Sequence, residues 1–282
     1  ITTDSKTQCS RLPEIVKRAH GMPFAECSIR NRFTIVHVVS GIKHIQCNDI
    51  RRSFSCGDTI CMSIGMYQTE NIPDDTGRYE EIAIEYSADE LQKTITRLHL
   101  IHDIPIVGSS DRHGIKRFCG CRSERITASL FDEIAGRIGT GMNDEYLAGR
   151  KSDLIYILMS HSDNDTVNCI LENMDSETEV FVRTVYANIF NDCTIEELAA
   201  KCNQSVSTFK AKFFNIFGET PHRWLTKQRL KRACFLLLNT DKSVKTIGEE
   251  CMFGNQSHFC KTFRHYHRIT PAAYRRKMRT AA

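Results

Sequence analysis

Residues 205–213 and 255–264 carry the side chains of this chain best suited to grasping another molecule. The first run supplies Ser205, Ser207, Thr208, Lys210 and Lys212. The second supplies Asn255, Gln256, Ser257, His258, Lys261 and Arg264. In each run the polar groups are interleaved with two phenylalanines four residues apart, Phe209/Phe213 and Phe259/Phe263. On a helix that spacing puts both rings on one face, which belongs in a core, and turns the polar groups outward. Asn and Gln match the donor–acceptor edge of adenine, while Lys and Arg reach guanine or phosphate. Helix N-termini and nearby cations hold phosphate without reading sequence. The chemistry implied is recognition of a nucleic-acid duplex rather than bond making.

The elements that must position these groups are legible too. Thr194, with Glu197 three residues on, has capping-box spacing and starts a short helix at Ile195–Cys202. Ser205 caps a second helix that runs through Phe217 and stops at Gly218. Thr220-Pro221 opens a long basic helix to about Asn239, with Pro at its first position. A second short helix over Val244–Met252, a second polar helix over Asn255–His267, and a final helix from Thr270-Pro271 follow. With a helix over Glu179–Phe190, the expected count is seven. The pattern is helix, turn, helix, written twice about fifty residues apart. A helix of about 20 residues spans roughly 30 Å, close to the roughly 34 Å repeat of B-DNA.

Charge follows the same division. From Glu179 onward there are 18 Lys+Arg and 8 Asp+Glu, a net of +10; the residues before it hold 20 and 26, a net of −6. A basic back half suits a polyanionic partner. No apolar run approaches the roughly 18 residues that would cross a bilayer, so no membrane partner is expected. The chain opens at Ile1 with no secretory pattern, read as a trimmed start and a cytoplasmic location. Thirteen cysteines, odd in number and without framework spacing, are read as reduced thiols. Cys119-Gly120-Cys121, beside Lys116, Arg117 and Arg122, is the one tight pair and a candidate for oxidant response; Cys260 is another. Metal spacing is missing, so neither metal nor cofactor is expected.

The front half reads as β from Arg32 to Tyr86, in short strands separated by Gly, Asp and Asn turns. That argues for a small antiparallel barrel or sandwich. Helices are expected over Ala88–His102, Ser123–Ile138, Asp144–Met159 and Val167–Met174, with an irregular stretch over Ile104–Gly120. Asn173–Thr178 is polar and reads as a linker, dividing the chain into 1–175 and 176–282. His37 and His44 do not form a metal-enzyme cluster, and His37 reads as a core residue. Arg51, Arg52 and Arg78 are solvated surface groups or partners for an anionic effector. The apolar stripes of Ser123–Ile138 and Asp144–Met159 suit either a partner helix or their own barrel.

Residues 180–280 resemble the C-terminal DNA-binding domain of the AraC/XylS family of bacterial transcription regulators. The resemblance is carried by Leu198-Ala199, Ser205, Phe209…Phe213, Arg229-Leu230…Ala233 and Leu236-Leu237. It continues through Ile247, Phe253, Ser257…Phe259…Lys261…Phe263-Arg264 and Thr270-Pro271-Ala-Ala-Tyr274-Arg275. It implies two helix-turn-helix units joined by one helix, bound to double-stranded promoter DNA, with RNA polymerase as a further partner. It also implies a cupin-like N-terminal barrel that binds a small-molecule effector or forms a homodimer. The fold class expected is therefore α+β: an antiparallel barrel with helices, then an all-α domain of seven helices. The chain departs from the family pattern at Ala211, where Arg is usual, at Met252, a usual turn Gly, and at Gly248, a usual Ala. The Gly costs about 1 kcal/mol of helix propensity. The expected function is a sequence-specific transcriptional regulator, an activator and not an enzyme. The alternatives are a cytoplasmic thiol redox sensor with DNA binding as output, and a metal-dependent barrel enzyme.

Overall fold

The computed structural model describes residues 15–47, 50–102, 118–122, 125–136 and 144–280. Pro105, Gly108, Gly114, Lys116 and Arg117 lie outside the described residues, as do the side chains of Cys121 and Arg122.

Nine strands build the front half among the described residues. They are β1 (Ile15–His20), β2 (Phe24–Arg30), β3 (Phe33–Ser40), β4 (Ile42–Cys47) and β5 (Ile50–Ser55), then β6 (Asp58–Met62), β7 (Gly65–Ile72), β8 (Tyr79–Tyr86) and β9 (Phe118–Arg122). They form two antiparallel sheets, β1-β8-β3-β6-β9 and β2-β7-β4-β5. Between the sheets lies a core that includes Val36, Val38, Ile45, Tyr67, Tyr79 and Phe118. The antiparallel barrel is thus present, and it starts earlier in the chain than Arg32. β1 and β2 escape a local reading because their residues, IVKRAH and FAECSIR, mix charge with apolar groups. The expected irregular stretch ends in a strand: β9 pairs with β6, placing Cys119 opposite Cys61.

β3 explains its own unbroken apolar run. Val36 and Val38 face the interior between the sheets. Ile35 faces the other way, onto α1 (Ala88–His102), α2 (Arg125–Gly136), α3 (Asp144–His161) and α4 (Asn164–Leu171). A strand buried on both faces needs no alternation. His37 lies on that helix-covered side, stacked on Phe131 at 4.7 Å with Nδ1 3.2 Å from Thr59 Oγ1. It is a core histidine. The apolar stripes of α2 and α3 are likewise spent on their own barrel.

One ion pair is sealed inside the barrel. Lys43 on β4 and Glu81 on β8 are both fully buried, 2.7 Å apart. Lys43 also donates to Asn71, and Tyr79 donates to Glu81. Burial pushes the Lys43 ammonium down despite the attraction of Glu81. Glu81, against the same desolvation, is held below the carboxylate norm by Lys43, Tyr79 and Arg18.

Among the described residues seven helices follow: α5 (Ser176–Ala187), α6 (Ile195–Lys201), α7 (Val206–Phe217), α8 (Pro221–Asn239), α9 (Val244–Glu250), α10 (Gln256–His267) and α11 (Pro271–Arg279). Asn173–Thr178 is packed rather than loose. Asn173 donates to Ser63 and to the Cys169 carbonyl, and Asp175 caps α5 by accepting from the backbone of Glu177 and Thr178. Glu179 then accepts from the Ala88 backbone N–H at the start of α1, at 2.8 Å.

The two halves share a core. Cys27 and Met66 of the second sheet, with Ile64 just before β7, sit in one cluster with Phe181, Val185, Phe213, Trp224 and Leu225. The outer face of that sheet lies against α8: Gln68 donates to the Lys231 carbonyl and Arg232 to the Cys27 carbonyl.

Candidate nucleic-acid interface

Local chemistry sets both polar helices. Thr194 and Glu197 exchange both capping-box bonds at the start of α6. Ser205 caps α7 by accepting from Thr208 N at 3.2 Å, and Asn255 caps α10 by accepting from His258 N at 2.8 Å. The N–H groups at a helix start have no partner in the helix itself, and each cap supplies one. Both helices then bury two rings, Phe209/Phe213 and Phe259/Phe263. Both end in the left-handed region, at Gly218 (φ 71°) and Arg268 (φ 64°). Glycine adopts that conformation freely; arginine does so at a cost in backbone strain.

The turns differ by one residue. In the first, Asn203 (φ 54°) and Gln204 donate back to Ala200 and Ala199. In the second, Met252 (φ 60°) and Phe253 donate back to Glu249 and Gly248 in the same way. Gly254 then follows before the Asn255 cap. Met252 therefore holds, with strain, the conformation a glycine would supply there. Gly248 has a separate reason to lack a side chain. A Cβ there would meet Phe259 Cδ1 at 3.1 Å and its Cβ at 3.3 Å.

From cap to terminus the two helices correspond position by position at an offset of fifty. With the phenylalanines buried, the outward stripe of α7 is Ser207, Ala211 and Phe214, flanked by Thr208 and Asn215. That of α10 is Ser257, Lys261 and Arg264, flanked by His258 and His265; all five are exposed. Ser205, Ser207, Thr208 and Lys210 are exposed on α7, and Asn255 and Gln256 at the start of α10. Lys212 is placed differently. Its ammonium lies 2.5 Å from Glu177 and 5.4 Å from the centre of the Phe181 ring, both on α5. It braces the domain rather than standing out with the rest. Phe214, Asn215 and His265 were not singled out in the sequence; the fifty-residue offset from Arg264, applied in reverse, finds Phe214.

Two basic groups of α11 turn back onto the end of α8, while Arg276 and Lys277 are exposed. Arg275 donates to the carbonyls of Leu237 and Lys242, and Arg279 to the Leu238 carbonyl and Asp241. They close the C-terminal end of α8, where carbonyls lack helical partners.

The thiols sort by burial. Cys61, Cys119 and Cys169 are buried together between β6, β9 and α4. Hydrogen bonds from Cys169 and Cys61 hold the Cys119 thiol down, while Cys169 is pushed up. Burial raises Cys251 to about 12 and Cys234 to about 11. Cys260 is half-buried on α10. Arg51 pairs with Glu70 and Arg78 with Glu80. No group of three or more metal-ligating side chains occurs among the described residues, and no helix there is long and apolar enough to cross a membrane.

Two capped helices of matching design, each preceded by a short helix and turn and joined by α8, define a double helix-turn-helix domain. Residues 198–277 match a family described as a helix-turn-helix domain. The chain is 39% identical over 88 residues to an uncharacterized HTH-type transcriptional regulator of Haemophilus influenzae, covering 31% of this chain and 30% of that protein. It is 31% identical over 104 residues to the regulatory protein PocR of Salmonella typhimurium, covering 37% and 34%. It thus spans about a third of the length of these curated relatives. Apo ToxT K231A from Vibrio cholerae covers 94% of this chain and 97% of its own, with a TM-score of 0.53 at 10% identity, and shares the fold. Residues 198–277 thus form a helix-turn-helix domain, similar to that of the AraC/XylS family.

Proposed function

We propose that the chain is a sequence-specific DNA-binding transcriptional regulator, an activator that works in the cytoplasm and carries no catalytic site. Residues 176–282 dock α7 and α10 in successive major grooves of promoter DNA. Residues 1–175 bind a small effector or form a homodimer, and RNA polymerase is the onward partner. One observation carries the reading: two matched, N-capped helices hang from α8, whose 19 residues span about 28 Å. The packing of the second sheet on α8 supports a route from the front half to both units. A cleft of about 390 Å³ beside that contact, lined in part by His44, Gln68, Glu70, Phe235 and Met278, suits an effector.

The test is binding of the full chain to duplexes selected from a random pool, over a range of salt. Log affinity is expected to fall linearly with log salt, by about 0.9 for each phosphate neutralised. A flat response, or no selected sequence, counts against the reading. The thiol-sensor alternative concerns Cys119, Cys121 and Cys260, of which Cys119 is buried beside Cys61 and Cys169 and Cys260 is half-buried on α10. Peroxide treatment that changes DNA affinity in the wild type but not in Cys119→Ser favours it; equal affinity in both removes it.

A further inference from the structure

We propose that the two helices read chemically different halves of one site, with α7 recognising thymine methyl groups through Phe214 and Ala211. The inference rests on the DNA-binding reading above and deepens it. The two helices share caps, buried rings and left-handed ends, so corresponding positions face the same way. On α10 the outward stripe is Ser257, Lys261 and Arg264, built for guanine edges and phosphates. On α7 the same stripe is Ser207, Ala211 and Phe214 and carries no charge. Lys212 is committed to Glu177 and the Phe181 ring, and Lys210, exposed beside the stripe rather than on it, is placed to meet phosphate.

Phe214 is 55% exposed, although Phe209 and Phe213 beside it are fully buried. A phenyl ring neither donates nor accepts in the plane of a base edge. Among the features of the major groove, the one it complements is the C5 methyl of thymine. Ala211, one turn back on the stripe, makes the same kind of contact and is small enough to let the helix approach closely. Thr208 and Asn215 flank the stripe with groups able to bond neighbouring base edges. The α7 half of the site is therefore expected to contain thymines at fixed positions. The α10 half is expected to contain guanine.

The experiment replaces thymine by deoxyuridine, one position at a time, in the tightest duplex selected by the full chain. This removes a methyl group and leaves every hydrogen-bonding atom in place. Losing one buried methyl contact is expected to weaken binding about three- to five-fold at one or two positions, all in one half. Phe214→Ala is expected to bind that duplex more weakly and to lose the penalty at the position its ring covers, any position met by Ala211 keeping it. Phe214→Leu is expected to retain part of the sensitivity, and Lys261→Ala to retain all of it. Equal binding of thymine and deoxyuridine duplexes by the wild type overturns the proposal. So does a Phe214→Ala variant that keeps the deoxyuridine penalty at every sensitive position, or one whose sole change is in self-association by sedimentation. Failure of the wild type to select any duplex removes the DNA-binding reading itself, and the thymine proposal with it.

Discussion

Arg229 on α8 donates from Nη1 to the carbonyl oxygen of Met252, 3.3 Å away, in the turn of the second helix-turn-helix unit. Its Nε donates to the Ile189 carbonyl at 2.8 Å, just beyond α5. One guanidinium thus fastens both halves of the double helix-turn-helix domain to the helix between them. Burial lowers its pKa, yet the charge persists at any ordinary pH.

Arg229→Met is expected to lower stability by about 2 kcal/mol, since hydrogen bonds to a charged group contribute about 1.5–3 kcal/mol each and the apolar stem is retained. Arg229→Lys should recover only part of this, because an ammonium lacks the planar fork. Urea unfolding measures both. Equal stability of the three proteins would show that these carbonyls are satisfied without Arg229.

Gly248→Ala is expected to destabilise the chain by about 1 kcal/mol. Helix propensity alone predicts a gain of about that size. The added Cβ would lie 3.1 Å from the ring of Phe259, which is fully buried and has little room to shift. Overpacking of that kind costs about 1–3 kcal/mol. Thermal unfolding decides the sign; a more stable variant would show that Phe259 yields.

Lys261→Ala and Ala211→Lys are expected to act in opposite directions. The first should weaken binding by about 1–3 kcal/mol and relax specificity at one position if Lys261 reads a base. The second places a cation on the uncharged stripe of α7. It should steepen the salt slope by about 0.9 if the new ammonium reaches a phosphate, so that binding tightens at low salt, while the close approach to thymine is lost. Equal salt slopes for wild type and Ala211→Lys would separate that position from the DNA backbone.

Lys43→Met is expected to cost about 3 kcal/mol, because it leaves the buried Glu81 carboxylate with only the part-exposed Arg18, 3.5 Å away, to balance its charge. The double variant Lys43→Met/Glu81→Gln should regain most of that loss. Calorimetry of the three proteins tests the pair. A double variant no more stable than the single one would mean that the pair's shape, rather than its charge balance, supports the barrel.

Asp175 predicts a pH effect. Desolvation tends to raise its pKa, but hydrogen bonds from Thr178 and Glu177 at the start of α5 outweigh that and hold it below the usual aspartate value. A depressed folded-state pKa gives stability that is present above the unfolded value of about 3.9 and lost as pH falls through the folded value. The advantage of wild type over Asp175→Asn should therefore be constant near neutrality and shrink below about pH 4. A constant gap down to strong acid would mean that the amide and the carboxylate cap equally well.

The amino-acid sequence by itself determined the C-terminal helices, their caps and the doubled unit. Those features rest on interactions between residues three or four apart, such as Thr194 with Glu197 or Phe209 with Phe213. It also foretold the departures at Ala211, Gly248 and Met252, though the reason Gly248 lacks a side chain is Phe259, eleven residues on. β1, β2 and β9 were hidden because a strand is confirmed by its partner, and β1 pairs with β8 more than sixty residues away. The tertiary structure alone decided that Lys212 turns to Glu177, that Asn173–Thr178 is a packed cap, and that the second sheet rests on α8. Each of these joins groups that no local period relates, through ion pairing and burial that exist only once the chain has closed on itself.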